Sequence, residues 1–453
     1  MEKIQEIERS LELMKNENES LYSALTKSAR LDEYESENGY WTNALQMALN
    51  ENEIVIIPER NEPYLLNGSV TIPSNRRIIA DKNAIIRLDK DVKVLMLRNT
   101  LTVDGTHLPI KNSTRNENIS IEGGIWEECC PHRLGYGGSG MYDEQRSFYG
   151  VSTCMLFENI NHLTLKNMTF RRCGGFAVQI GEASNIYIEG IRFENCFADG
   201  LHINGNTESI YISDVKGEVG DDLVAFNMFD WQNSSINFGP CSNVICKDLE
   251  LSLNSYYKAL RIEPGVYTFD NGESVDCSLS NAIFRRIKNI KTYKLYCQTP
   301  PYFPGNSPER AGVGSGDNIF FEDISINLDE PIDKLDGYMT NDPVKGSFAG
   351  FELGLNVKNL YFKNIDITLD KEKNPYSYLI CIGPKSARLE NGSEVFDPYY
   401  TSYAENLYLE GITVNGTTPD DISPYLREIV FDNLYSDIES SASGHFGKIH
   451  YKK

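Results

Sequence analysis

Eight times along the chain a polar residue, usually Asn, opens a run in which apolar and polar positions alternate, followed by a second short apolar run. The phrases are NISIEGGIW from Asn118, NHLTLKNMTF from Asn161, NIYIEGIRF from Asn185, SIYISDVKG from Ser209, NVICKDLEL from Asn243, NIFFEDISI from Asn318, NLYFKNIDI from Asn359 and NLYLEGITV from Asn406. The steps from 161 to 185 and from 185 to 209 are 24 residues each, and later steps widen to 34 and beyond, as inserted loops would make them. Short period-two strands repeated every 20 to 25 residues or so describe a solenoid, in which each coil buries its inward face on the next. The expected fold is an all-β, right-handed parallel β-helix. A leucine-rich repeat is the rival solenoid, but its LxxLxLxxN pattern is missing and no helical segment recurs within the repeat.

The region before the coils reads differently. In WTNALQMAL, residues Trp41, Leu45, Ala48 and Leu49 share one helical face. A helix there is expected to plug the open N-terminal end of the solenoid. Upstream, Ile4, Leu11, Asn18 and Leu25 recur every seven residues, as do Ile7, Met14 and Leu21, an a/d stripe with Asn at one a position. Two uses fit the stripe: subunit assembly as a coiled coil, giving a homo-oligomer, or an amphipathic helix packed on the body. The domain reading is an N-terminal helix over 1–38 and a single β-helix domain with its capping helix over 39–453.

Charge and composition narrow the partners. With 43 basic against 65 acidic side chains the net charge is -22, which disfavours nucleic acid, whose phosphates need clustered Lys and Arg. No apolar run of about 18 residues exists to cross a bilayer, so no membrane partner is expected. The opening MEKIQEIERSLELMKNENES is charged throughout and does not read as a secretory signal, which makes the cytoplasm the expected location. The ten cysteines show no CxxC pair and no zinc spacing, and are expected to be reduced; the adjacent Cys129 and Cys130 are the odd pair. No metal site or cofactor is expected, since HExxH and spaced His pairs are absent among the six histidines.

Stacking the coils locates the chemistry. FRRC ends at Cys173 and FENC at Cys196, a step of 23 that sets Phe176 under Asp199 and brings Asp221 and Asp222 to that level one coil later. In this register Val178, Leu201 and Val224 form one inward ladder and Ile180, Ile203 and Phe226 another. Gln179, His202 and Ala225 face outward in one row, and Gly181, Asn204 and Asn227 in the other, so a polar groove is expected there. Three clustered carboxylates raise at least one pKa, leaving a protonated acid beside ionised bases, as glycoside hydrolysis requires. The plainer alternative is that Asp199, Asp221 and Asp222 only make turn and ladder hydrogen bonds. In KALRIEPG, Leu260 and Ile262 point inward while Ala259, Arg261 and Glu263 face out. Arg261 would hold a sugar hydroxyl or carboxylate, or simply pair with a neighbouring acid. Trp231, Tyr256, Tyr257 and Trp126 are candidate stacking platforms for sugar, Trp231 first among them, with core packing as its alternative. The segments 127–152 and 265–276 have the composition of loops that wall a cleft; the glycines at 135–140 make no phosphate loop, because no GKS or GKT follows.

ADGLHING, then GDDLVAF one coil on, then ALRIEP, resembles glycoside hydrolase family 28, the polygalacturonases, within the wider pectin-lyase-like β-helix group, whose members show NTDG, GDD, GHG and RIK segments. The opening from WTNALQMAL through IPSNRRIIADKNAIIRL is also similar to the first coil of these proteins, so the likeness covers most of the chain after residue 40. It implies inverting hydrolysis with Asp221 as general acid, Asp199 and Asp222 activating water, and Arg261 in the place of the RIK arginine. Two departures stand out. Glu263 replaces the lysine of RIK, which in the family helps hold a uronate carboxylate, and SINFGPCSN carries no histidine where GHG is expected. A neutral or differently charged glycan is therefore the expected substrate. His202 is the residue that could stand in for the missing histidine, unless it is a ladder histidine.

The leading reading is a glycosidase with Asp199, Asp221 and Asp222 as catalytic residues and His202, Asn227, Trp231, Lys258, Arg261 and Glu263 binding an oligo- or polysaccharide. A Ca²⁺-dependent polysaccharide lyase, with the three Asp binding the ion and Lys258 or Arg261 abstracting a proton, is the first alternative. A non-enzymatic glycan-binding fibre or adhesin is the second.

Overall fold

A computed structural model describes residues 2–90, 92, 94–101, 114–131, 153–230, 235–255, 258–269, 271–289, 293–296, 311–329, 348–373, 377–383, 387–390, 393–396, 402–428 and 444–453. Most of its strands join in one continuous 27-stranded sheet paired in parallel from coil to coil, which is the parallel β-helix that the repeats predict, and two small antiparallel sheets lie outside it. Each coil passes over three faces. The first face carries Leu201–Asn204, Val224–Asn227 and Leu260–Glu263 in succession, and longer strands such as Phe176–Glu194 bend across all three.

In four of the phrases the opening Asn has a backbone reason. Asn118, Asn185, Asn243 and Asn318 adopt φ of +56, +58, +54 and +53°, the left-handed bend that Asn tolerates better than most side chains. In the second phrase the bend falls one residue later, at His162, with φ +59°. Inward positions of all three faces merge into one apolar core, and Ala44, Leu45, Ala48 and Leu49 of a helix over Thr42–Glu51 join it at the N-terminal end, as a plug should.

The N-terminal helix, α1 (Glu2–Ser23), lies along the second face. Its Ile7, Leu11 and Met14 pack on the outward row Tyr187, Tyr211, Ile245, Ile283 and Phe320. Asn18 is wholly buried: its Nδ2 donates to the Asn185 carbonyl at 3.1 Å and its Oδ1 lies 2.7 Å from His162 Nδ1. Arg285 reaches Glu8 at 2.9 Å. The heptad stripe is thus covered by this chain's own body, the second of the two uses that the stripe left open. A row of aromatic and β-branched side chains on the second face offers the stripe a partner without a second subunit. The described cysteines are free thiols, and Cys129 and Cys130 are half-buried.

Candidate active site

The predicted register is the observed one. Val178, Leu201, Val224 and Leu260 are paired coil to coil, and so are Gln179, His202, Ala225 and Arg261. Asp199 lies just before the strand Leu201–Asn204, and Asp221 with Asp222 just before Val224–Asn227. The backbone ties these turns together: Gly200 N donates to the Asp222 carbonyl at 2.9 Å, and Asp222 N to Asp199 Oδ1 at 3.1 Å. One carboxylate oxygen from each of Asp199, Asp221 and Asp222 lies within 4.8 Å of the others. Two glycines allow this approach. A Cβ on Gly200 would sit 2.6 Å from the Leu223 carbonyl oxygen, and one on Gly220 would sit 2.4 Å from that of Phe197. The glycines of the DG and GDD segments are therefore demanded by coil stacking as much as by chemistry.

His202 is held on three sides. Nδ1 meets Asp199 Oδ2 at 2.6 Å, Nε2 meets Asp230 Oδ2 at 3.0 Å, and the ring stacks on Phe176 at 3.8 Å with 14° between planes. Burial alone would lower its pKa, but the two carboxylates outweigh it and push the ring up to about 9. It is an imidazolium at neutral pH, with neither nitrogen free to act as a base. Two coils on, Arg261 directs Nη1 to Asp222 Oδ2 at 3.4 Å and Nη2 to Glu263 Oε1. Burial would lower the Arg261 pKa, yet Glu263 and Asp222 raise it well above its usual value.

The acids are pushed the other way. Burial, then the charge of Asp221, raises Asp222 to about 7 against the pull of Arg261. Burial raises Glu263 to about 8, opposed by Arg261 and helped by Asp230. Asp199 and Asp222 are 3% and 2% exposed, whereas Asp221 and Arg261 are half-buried, so the cluster meets solvent along the Asp221–Arg261 edge.

An open trough along the whole outward row is not what forms. Gln179, His202, Asn204 and Asn227 are buried, and residues 235–240 lie over Gly181, Asn204 and Gly205 on the first face. Ile236 N donates to Asn204 Oδ1 at 3.3 Å, Ile236 packs on Leu95 and Leu156, and Asn237 Nδ2 donates to the Gly205 carbonyl. Period-two alternation tells which side a residue faces but not what an inserted loop lays over it.

Of the remaining expected site residues, Lys258 is buried and its charge favours ionisation of Asp222, while Asn227 sits beside Glu263 in the ladder. Trp231, Tyr256 and Tyr257 lie outside the described residues, as does most of 127–152. Trp126 is no sugar platform: it is wholly buried in the core, with Nε1 donating to the Gly123 carbonyl at 3.1 Å. Segment 265–276 contributes an antiparallel hairpin, Gly265–Thr268 with Ser274–Cys277. Asp230 was not foreseen. It falls beyond the end of Val224–Asn227, where alternation no longer assigns a side, and the only hint was its acidity near the GDD coil. The three clustered Asp form a hard oxygen donor set of the kind a divalent cation takes, but His202, Arg261 and Lys258 already turn positive charge toward it.

No protein-family model matches the chain, and no curated protein matches it. Solved structures do share its shape. A hyperthermoactive exopolygalacturonase from Thermotoga maritima superposes with a TM-score of 0.50 at 13% identity, over 89% of this chain and 97% of that one. PfbA, a surface adhesin of Streptococcus pneumoniae, gives 0.49 at 13% identity over 94% and 93%. The catalytic domain of a GH87 α-1,3-glucanase in complex with nigerose gives 0.46 at 12% over 88% and 67%. At such identities the likeness establishes the fold, a parallel β-helix, and nothing finer. Membership of family 28 is not shown by these comparisons.

Proposed function

We propose that the protein is a glycoside hydrolase that cleaves oligo- or polysaccharide by acid/base hydrolysis at Asp199, Asp221 and Asp222. One observation carries this reading: acids from two successive coils bring their oxygens within 4.8 Å of one another at an edge that reaches solvent. Like charges this close do not all ionise at neutral pH, and the proton the cluster keeps belongs to the Asp221–Asp222 pair rather than to either residue. Asp221, the member that meets solvent, delivers it to the glycosidic oxygen as the bond to the anomeric carbon breaks. Water attacks that carbon, and its proton passes to the carboxylate pair of Asp199 and Asp222. His202, held between Asp199 and Asp230, fixes Asp199 in place, so its part is to position rather than to touch the sugar.

An inverting outcome follows from the family resemblance, yet these oxygens lie closer than the separation of about 6.5–9.5 Å usual between inverting carboxyl groups. The first-formed anomer, followed by ¹H NMR, therefore checks the finer reading: inversion supports the single displacement, and retention replaces it with a covalent intermediate. Cytoplasmic action on imported oligosaccharides belongs to the same proposal and is checked by cell fractionation.

The tight oxygen cluster also fits the lyase reading, in which it would bind Ca²⁺. Against that, the guanidinium of Arg261 is engaged by two acids and Lys258 is buried, so neither is presented as a base. Unsaturated products absorbing in the ultraviolet, lost on adding a chelator, would favour the lyase.

A further inference from the structure

The first face is filled on the N-terminal side of the acids. In the coil before Asp199, Phe176 stands at the level of the acids, and its ring lies 3.8 Å from that of His202. Gln179 of that coil and Leu156 of the coil before it point outward, yet both are wholly buried. Segment 235–240, which follows the coil of Asp222, turns back toward the N-terminal end and lies over this stretch. Ile236 packs on Leu156 and Leu95, its N donates to Asn204 Oδ1 at 3.3 Å, and Thr207 N donates to the Pro240 carbonyl at 3.0 Å. On the other side of the segment, Phe238 stacks on Tyr267 of the hairpin at 4.0 Å.

No room is left beneath the segment for a sugar. A Cβ on Gly181 would sit 2.1 Å from Asn237 Oδ1 and 2.8 Å from Ile236 Cδ1, and one on Gly205 would sit 2.1 Å from the Gly239 carbonyl oxygen. Where a methyl does not fit, a pyranose ring does not. The covered stretch runs from the coil of Leu156 to that of His202, two strand spacings or about 10 Å along the axis, which is longer than one glycosyl unit. Of the described charged groups of the site, Asp221 and Arg261 are the ones that meet solvent. They lie one and two coils beyond that of His202, away from the cover.

We propose that segment 235–240 and Phe176 form a stop, so that the site takes a glycan by its end and works as an exo-hydrolase, releasing a single terminal unit at each cut. An internal stretch of chain needs a continuous track on both sides of the bond being broken, and here the track ends within the coil of Asp199. The rest of the substrate leaves toward Asp221 and Arg261. Each turnover breaks the terminal glycosidic bond, adds one water and sets free one monosaccharide. Terminal attack rests on the hydrolase reading above and goes beyond it, since clustered acids serve mid-chain and terminal cleavage equally.

The experiment uses linear gluco-, galacto- and manno-oligosaccharides from disaccharide to octasaccharide, with oligogalacturonates of the same lengths. The full-length wild type is compared with an Ile236→Gly/Asn237→Gly double variant. Early products are resolved by mass and binding is measured by calorimetry, with circular dichroism as the folding control. The wild type is expected to give, at every length of the sugar it cleaves, only the monosaccharide and the chain shortened by one unit. The double variant should release intermediate lengths as well, lowering the share of monosaccharide relative to them about tenfold. Should it fail to fold, Gly181→Ala, whose methyl would displace Asn237 and Ile236, is expected to act in the same direction. Early products of several lengths from the wild type overturn terminal attack and leave the hydrolase standing. Unchanged products from a folded variant overturn the assignment of the stop to 235–240. If no probe is cleaved, the hydrolase reading fails and affinity against chain length decides the stop. A Kd that stays within about threefold from disaccharide to octasaccharide keeps it, and steady tightening with each added unit overturns it. Neither cleavage nor binding of any probe overturns both.

Discussion

Two outward rows of the same coils end up buried by opposite means. On the second face, Tyr187, Tyr211, Ile245, Ile283 and Phe320 make an apolar stripe that α1 covers. On the first face, His202 and Arg261 stand in the same kind of outward position, yet His202 is buried and Arg261 half-buried among acids. Apolar side chains leave water favourably, at about 25 cal/mol per Å², and need only a surface to meet. Charged groups leave water at a cost, and are stable there only when each finds a counter-charge or keeps a proton. The lesson is that facing outward in a solenoid does not mean facing solvent, and that the residue type decides whether the cover becomes structure or chemistry.

The strongest way to break the contrast is to disable the charged side. Asp221→Asn and Asp222→Asn should each lower turnover by about 10³-fold while circular dichroism stays that of the wild type, because a missing proton donor or water-orienting group removes acid/base catalysis without removing any apolar contact. Unimpaired turnover in either variant would place the chemistry elsewhere.

The covered apolar side should answer in stability. Leu11, 1% exposed under α1, changed to Asp is expected to cost about 3 kcal/mol and lower the Tm, because a charge is forced against the aromatic row. Leu13 on the same helix is 61% exposed, and Leu13→Asp should stay within about 0.5 kcal/mol of wild type. Equal effects of the two would show that α1 is not docked by that face.

pH sharpens the contrast from the charged side. The folded-state pKa values of Asp222, Glu263 and His202 stand at about 7, 8 and 9, each above the ordinary 3.8, 4.5 and 6.5. A raised pKa means the folded state holds the proton more tightly than the unfolded chain, so stability is lost as pH rises through these values. The Tm should therefore fall steadily between about pH 4 and pH 9, and turnover should decline above about pH 7 as the Asp221–Asp222 pair loses its proton. A Tm that climbs with pH over that range would mean that these groups are not buried as described.

The smallest expected effect is at Asp230, which reaches the reaction only through His202. Asp230→Asn should lower turnover by about tenfold and shift the His202 ring ¹⁵N titration to lower pH, a change that a merely structural role would not produce. An unmoved titration would remove the positioning role.

Much of this architecture could be read from the chain. Period two and the 23-residue step between Cys173 and Cys196 were enough to pair Val178 with Leu201 and Val224, and so to set Asp199 beside Asp222 before any coordinates. What escaped was set by contacts that no local pattern records. The a/d stripe of α1 is the same whether its partner is another subunit or Tyr187 and Tyr211. Trp126 reads like a platform until the fold places it inside. Residues 235–240 roof the groove from a loop whose path alternation does not encode, and Asp230 reaches His202 from beyond a strand end. Interior and register follow from periodicity, whereas cover and second partners follow from loops.

The most direct test is a mass-resolved screen of the purified protein, with Asp221→Asn in parallel, against plant, host and microbial oligosaccharides. Each cut is predicted to add one water, about 18 Da, to the summed products with the wild type and to be lost in the variant. Binding without product, or fragments that carry no added water, would contradict hydrolysis at this cluster.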